Sequence, residues 1–344
     1  MNRVWYSILK ASAMAAALVV LAGCNYNSQA TGNAVPPGSI QKSAWIAYWD
    51  LAAGEKELAK LGKQLGKLSY FGAYFDQNDR LFLPQELSDT KLEQQKQTAG
   101  YTTYLTFVND KQNADGSTVL KDTEVLRRLF ADEASMDNHI GEILALAKQG
   151  GYDGIEIDYE RIWKEERVGQ DFVRFTGKLY EQAVKNDLAL RVVLEPGTPF
   201  AAVDFPQGPE YVVMLYNLHG LHNSPGPKAN KAFIQKKIKQ MAALPGEKSV
   251  AFSTGGCLWG DNGEKRFLTE AEAKTLAVTH AAKFKRDEAS QCLVFTYKEK
   301  GIAYQVWYAD VKTLQYWIAA AQEQGVSNIS LWRLGGNVDI NKIN

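Results

Sequence analysis

The feature that most restricts this fold is a rhythm. Short apolar, β-branched and aromatic runs alternate with helical stretches along most of the chain. The runs predicted as strands are Ser43–Asp50, Leu68–Asp76, Thr103–Asn109, Gly154–Glu160, Leu188–Leu194, Tyr211–Asn217, Ser249–Gly255 and Ile329–Leu334. Between them lie stretches of helical period. Leu58, Leu61, Leu65 and Leu68 are spaced for one helix, and a weak pattern runs from Ser88 to Gln97. Ser135–Gln149 places Ile140, Ile143, Leu144 and Ala147 on one face and closes at Gly150-Gly151. Further helices are predicted over Gln170–Asn186, around Phe233, Ile234, Ile238 and Met241 up to Pro245-Gly246, and over Asp310–Gly325. Strands alternating with helices pair in parallel, because a parallel return needs a crossover. Eight such units in about 300 residues predict an α/β fold, a closed (β/α)8 TIM barrel. An open doubly wound sheet is the alternative, weakened by the lack of GxGxxG after the first strand.

One segment breaks the rhythm. Residues 257–309 are too long for a single loop. They contain a predicted helix over Thr269–Lys285 and two β-like runs, Cys292–Tyr297 and Ala303–Tyr308. This predicts a small α+β insertion between strands seven and eight. Its aromatic residues Phe295, Tyr297, Tyr304, Trp307 and Tyr308 fit its own core better than the wall of a cleft. Cys257 and Cys292 fit a disulfide or two buried thiols equally well.

The amino terminus carries a different message. Arg3 and Lys10 precede an apolar run from Ala11 to Ala22, which ends in Leu21-Ala22-Gly23-Cys24. A run of about a dozen residues is too short to span a bilayer. Residues 1–23 are expected to be an export signal. Small residues before a cysteine resemble the bacterial lipobox, which implies lipidation of Cys24, a membrane anchor and a cell-envelope location. Asn25, in place of Asp, implies the outer membrane by the same resemblance. Residues 24–42, rich in Asn, Ser, Gly and Pro, are expected to form a flexible tether, with the (β/α)8 domain over 43–344. The whole chain carries no net formal charge, and removing residues 1–23 takes away two positive charges and no acid. No basic block stands out, which argues against a nucleic-acid partner. His219 and His222 lack a third neighbouring ligand, so no metal is expected.

The fourth strand carries the chemistry. In Asp153-Gly154-Ile155-Glu156-Ile157-Asp158-Tyr159-Glu160, side chains alternate between two faces. Ile155, Ile157 and Tyr159 share one face, expected to meet the helices. Glu156, Asp158 and Glu160 share the other and would climb the barrel interior toward its C-terminal mouth. Carboxylates crowded in a low-dielectric interior raise one another's pKa values, which is how an acid keeps its proton near neutrality. Glu160, nearest the mouth, is the candidate proton donor. The bland reading, a surface strand with its acids in water, is disfavoured by the helical flanks.

At this point the sequence resembles glycoside hydrolase family 18, the chitinase-like barrels. The family's strand-four motif, DGxDxDxE, corresponds to Asp153, Gly154, Glu156, Asp158 and Glu160. Its Met-x-Tyr-Asp on strand six corresponds to Met214, Tyr216 and Asn217, and its strand-eight Trp to Trp332. The late insertion and the closing ISLWRLGG stretch look most like the branch with spore-cortex and peptidoglycan-active members. The resemblance implies retaining, substrate-assisted hydrolysis of β-linked N-acetylglucosamine glycans. Glu160 would protonate the glycosidic oxygen, Asp158 would orient the acetamido group, Glu156 would share a proton with Asp158, and Tyr216 would bind the acetamido oxygen. Asp153, Met214, Asn217 and Trp332 would line the sugar site. No metal or organic cofactor is implied. Two positions depart from the family: Glu156 replaces an Asp, adding a methylene in a packed core, and Asn217 replaces an Asp and cannot ionise. Glu195, Asn109, Trp49, Tyr74 and Trp259 lie near predicted strand ends, where packing is the simpler role. A non-catalytic carbohydrate-binding barrel is the alternative function, as is a glycosidase that does not use the acetamido group.

Overall fold

The computed structural model describes residues 40–88 and 100–343. The expected export signal, Cys24, most of the expected tether and most of the weak helical pattern between Ser88 and Gln97 lie outside these residues.

Eight parallel strands close into a barrel: Gln41–Ala47, Leu65–Phe75, Thr102–Gln112, Gly154–Asp158, Ala189–Leu194, Glu210–Met214, Lys248–Ser253 and Asn328–Trp332. Each pairs with its neighbour in sequence, and the first closes on the eighth through Gln41↔Asn328 to Ala44↔Leu331. We refer to them as the first to eighth barrel strands. The first strand begins at Gln41. The expected barrel is observed, and the open-sheet alternative is not.

The helices bury one apolar stripe each. Helix Glu166–Lys185 turns Val168, Phe172, Phe175, Leu179 and Ala183 inward at intervals of three and four residues. Helix Glu133–Gln149 starts where the Asp132 side chain accepts from the Ser135 N–H at 2.8 Å. The two helices pack on Ile155, Ile157 and Tyr159 of the fourth strand and the residue after it, all buried as expected. The first helix departs from expectation: it spans only Leu51–Leu61, and Leu65 and Leu68 belong to the second strand. Gly62, at φ 53°, breaks the helix, so the leucine spacing runs across two elements.

The insertion is a five-stranded antiparallel sheet that opens at Gly255, directly after the seventh strand. It runs Lys265–Leu268, Gly255–Gly260, Ile302–Ala309, Leu293–Glu299 and Lys285–Arg286 across its width. Helix Glu270–Thr279, begun by a Thr269–Glu272 capping box, covers it. Phe295, Tyr297, Tyr304 and Tyr308 form its own core with Leu258, Leu268 and Val306, whereas Trp307 packs toward the barrel core. Cys257 and Cys292 are buried free thiols, and burial pushes the Cys292 thiol up to about 12.

Candidate active site

Inside the barrel the three acids of the fourth strand divide into two jobs. Glu156 is fully buried, and both of its carboxylate oxygens are occupied. Oε1 accepts from Trp45 Nε1 and from Thr106 Oγ1 at 2.7 Å; Oε2 accepts from Ser69 Oγ at 3.0 Å and lies 2.9 Å from Arg191 Nη1. The expected proton sharing with Asp158 is therefore replaced by an ion pair with Arg191 from the fifth strand. The carboxylate is bound into the barrel framework.

Asp158 and Glu160 remain at the C-terminal mouth. Asp158 Oδ1 is buried and makes no hydrogen bond among the described residues. Burial, then the nearby Glu160 and Glu156, holds its carboxyl well above the usual range. Glu160 follows the strand by two residues, and its side chain is 15% exposed, which puts it at the edge of the groove and out of bulk water. Its main chain is clamped by one residue of the third strand: Asn109 Oδ1 accepts the Glu160 N–H at 2.9 Å, and Asn109 Nδ2 donates to the Glu160 carbonyl at 3.1 Å. Burial raises the Glu160 pKa; the Lys121 ammonium, in direct contact with Oε2, works against it, and Glu195 and Asp110 push it up.

Tyr216, Asn217 and Trp332 line one cavity at the mouth. Glu160, Lys121, Arg161 and Glu195 line the adjoining one, and Asn217 and Phe267 border both, so the two form one groove. Tyr216 lies close enough to Asp158 and Glu160 for their charge, added to burial, to hold its phenol protonated. The Trp332 ring is fixed edge-on by Phe71 at 4.8 Å and Trp45 at 5.9 Å between centroids. Met214 is buried among Trp45, Val193 and Val212 and backs the site without facing the groove.

Asp153 does not join this constellation. It precedes the fourth strand, at the opposite end of the barrel, where Oδ2 accepts from Thr103 N and Oγ1 at 2.8 and 2.9 Å. The expected sugar contact is corrected to a strand-pairing role. Trp259 is 5% exposed within the insertion sheet, Tyr74 packs on Tyr48 and Phe82, and Trp49 stays half-exposed beneath the Arg333 guanidinium. Glu195 accepts the Arg161 N–H at 2.7 Å and borders Glu160.

The residues that sequence reasoning missed are mostly basic. Lys121, at φ 57°, sits in the loop after the third strand, anchored by its own N–H to Asp110 Oδ1 at 2.7 Å. Arg191 was legible only as a charge inside an apolar strand. Lys228 and the insertion's Phe267 reach the groove from elements distant in sequence.

The sequence profile described as "Glycosyl hydrolases family 18" matches residues 44–337. The chain is 23% identical over 233 residues to the uncharacterised glycosylase YvbX of Bacillus subtilis, covering 62% of this chain and 66% of that one. It therefore spans just under two thirds of that relative. Among solved structures, the spore cortex-lytic enzyme SleL of Bacillus cereus superposes with a TM-score of 0.72 at 19% identity, covering 88% of this chain and 72% of that one. A chitinase from Chromobacterium violaceum gives 0.71 at 15% identity, covering 88% and 96%.

Proposed function

From the premise that the chain belongs to the glycosyl hydrolases of family 18, we propose that it hydrolyses β-linked glycans containing N-acetylglucosamine, with Glu160 as the acid. The observation that carries this reading is the pair of mouth carboxyls, Asp158 and Glu160, both with raised pKa, beside a groove bordered by Tyr216 and Trp332. A sugar seated over Trp332 brings its glycosidic oxygen to Glu160, which donates the proton as the C–O bond breaks. The substrate's acetamido oxygen attacks the anomeric carbon from the other side, forming an oxazolinium ion. Asp158, whose Oδ1 has no hydrogen-bond partner among the described residues, takes the acetamido N–H, and the Tyr216 hydroxyl donates to the acetamido oxygen. Water then opens the ring, with Glu160 removing its proton, and the anomeric configuration is retained. A carboxyl kept protonated by burial and like charge suits the first step.

The test compares wild type with Glu160→Gln on chitooligosaccharides and on purified peptidoglycan. Turnover should fall by at least about a hundredfold, the scale of a lost general acid. Equal rates would sink the assignment and favour the second reading, a carbohydrate-binding barrel without catalysis. The Lys121 contact, which ties the acid in the free protein, is the observation on that side. As to location, the Leu21–Cys24 pattern supports an envelope protein lipidated at Cys24. Cys24→Ser should move the mature chain from membrane to soluble fractions. Retention of the variant in membranes would remove the anchor from this reading.

A further inference from the structure

We propose that the groove takes a glycan bearing a carboxylate, and that the Lys228 ammonium binds that carboxylate beside the sugar over Trp332. The inference rests on the sugar site proposed above and narrows its substrate class.

Lys228 lies on the segment between the sixth strand and helix Lys231–Met241, and lines the same cavity as Tyr216, Asn217 and Trp332. It is half-buried, and its ammonium stands 4.7 Å from the centroid of the Phe267 ring. Among the described residues no carboxylate lies within ion-pair distance of it. The other charges of this cavity are already engaged. Arg333 pairs with Asp50 at 2.6 Å, and Glu272 accepts from Thr269 in the capping box. Asn217, where the family pattern has Asp, offers Lys228 no counter-charge. A half-buried ammonium with no counter-ion is costly, and a ring face recovers only part of the cost. Hydroxyls of a neutral sugar would solvate this cation without neutralising it, whereas a carboxylate would do both.

Further cations lie on the other bank of the groove. Arg161 and Lys164 border the cavity of Glu160 and, among the described residues, also lack a carboxylate within ion-pair distance. Lys121, Arg161 and Lys164 there outnumber the acids Glu160 and Glu195, so cations stand on both banks of one groove and favour an anionic chain over a neutral one.

The test uses the Glu160→Gln protein, so that affinity is read without turnover. Calorimetry compares oligosaccharides of alternating N-acetylglucosamine and N-acetylmuramic acid, with carboxylates free or converted to amides, and a neutral N-acetylglucosamine oligomer of equal length. The free carboxylate should bind about tenfold tighter than its amide, the scale of one charge-assisted contact. Adding Lys228→Met should bring that ratio toward one, and Lys228→Arg should keep most of it. Equal affinity for free and amidated glycans would overturn the proposal, as would a ratio unchanged by Lys228→Met. Hydrolysis is measured separately, so a wild type that binds with this preference but cleaves nothing would fail the hydrolase reading alone.

Discussion

At the scale of single residues, the site turns on how Lys121 and the mouth carboxyls bias one another. Lys121 favours the ionised form of Glu160, so removing it raises the Glu160 pKa further. The active, protonated form would then persist to higher pH. Lys121→Met should move the alkaline limb of the kcat/KM profile, which reports the free enzyme, upward, and an unmoved limb would show that Lys121 does not set the Glu160 pKa. Asp158 gives a stability counterpart. Its folded pKa is raised, so between the unfolded value and the folded value the folded state holds the extra proton. Stability is therefore lost as pH rises through that window, and the loss is complete above the folded pKa. Asp158→Asn should stabilise the protein by about 1 kcal/mol at pH 7. The gain should vanish near pH 3 in thermal melts, because there both states of the wild type hold the proton. The acids were legible from alternation along one strand. Lys121 was not, because its contact with Glu160 spans 39 residues and depends on how a loop folds back over the mouth.

At the scale of elements, the barrel strands were readable because apolar period and crossover logic are local, and the insertion because it overran any plausible loop. Its exact root was not. Gly255 and Gly256 look like an ordinary strand end in sequence, yet they are where the chain leaves the barrel. Gly255 has φ 63°, and a Cβ on Gly256 would stand 1.9 Å from the Trp307 carbonyl oxygen. That contact is with the backbone of the paired strand Ile302–Ala309, so no side-chain rotation relieves it. Gly256→Ala should force the two strands apart and cost about 2–4 kcal/mol, measured by urea unfolding. Because Phe267 and Thr269 enter the groove from this insertion, the variant should also weaken glycan binding. A fully stable Gly256→Ala protein would show that the sheet accommodates the methyl by sliding.

At the scale of the whole molecule, one polar network joins all eight strands, centred on Arg191. Its guanidinium reaches Glu156 of the fourth strand, Glu210 of the sixth at 3.2 Å, Ser69 of the second at 3.1 Å, and Ser43 and Ser330 of the first and eighth at 3.2 and 3.0 Å. Glu156 adds Thr106 of the third strand, and Glu210 accepts from Ser249 of the seventh. Trp45 and Tyr104 present ring faces to the same cation at 5.7 and 5.3 Å. Burying these charges costs several kcal/mol per ion, and the contacts return that cost only while the set is complete. Arg191→Met would leave Glu156 and Glu210 facing each other across a dry interior. It should destabilise the barrel by about 3–5 kcal/mol, the scale of a broken buried pair. Replacing Arg191, Glu156 and Glu210 together by Met, Leu and Leu should cost less than the single change, because no charge is stranded. The ordering of the two denaturation midpoints decides the matter. If the triple variant is the weaker, the network contributes net stability. If the single variant is the weaker, the network's role is register: it fixes which strand faces which, and so brings Asp158 and Glu160 at the end of one strand to the same mouth as Tyr216 and Trp332 at the ends of two others.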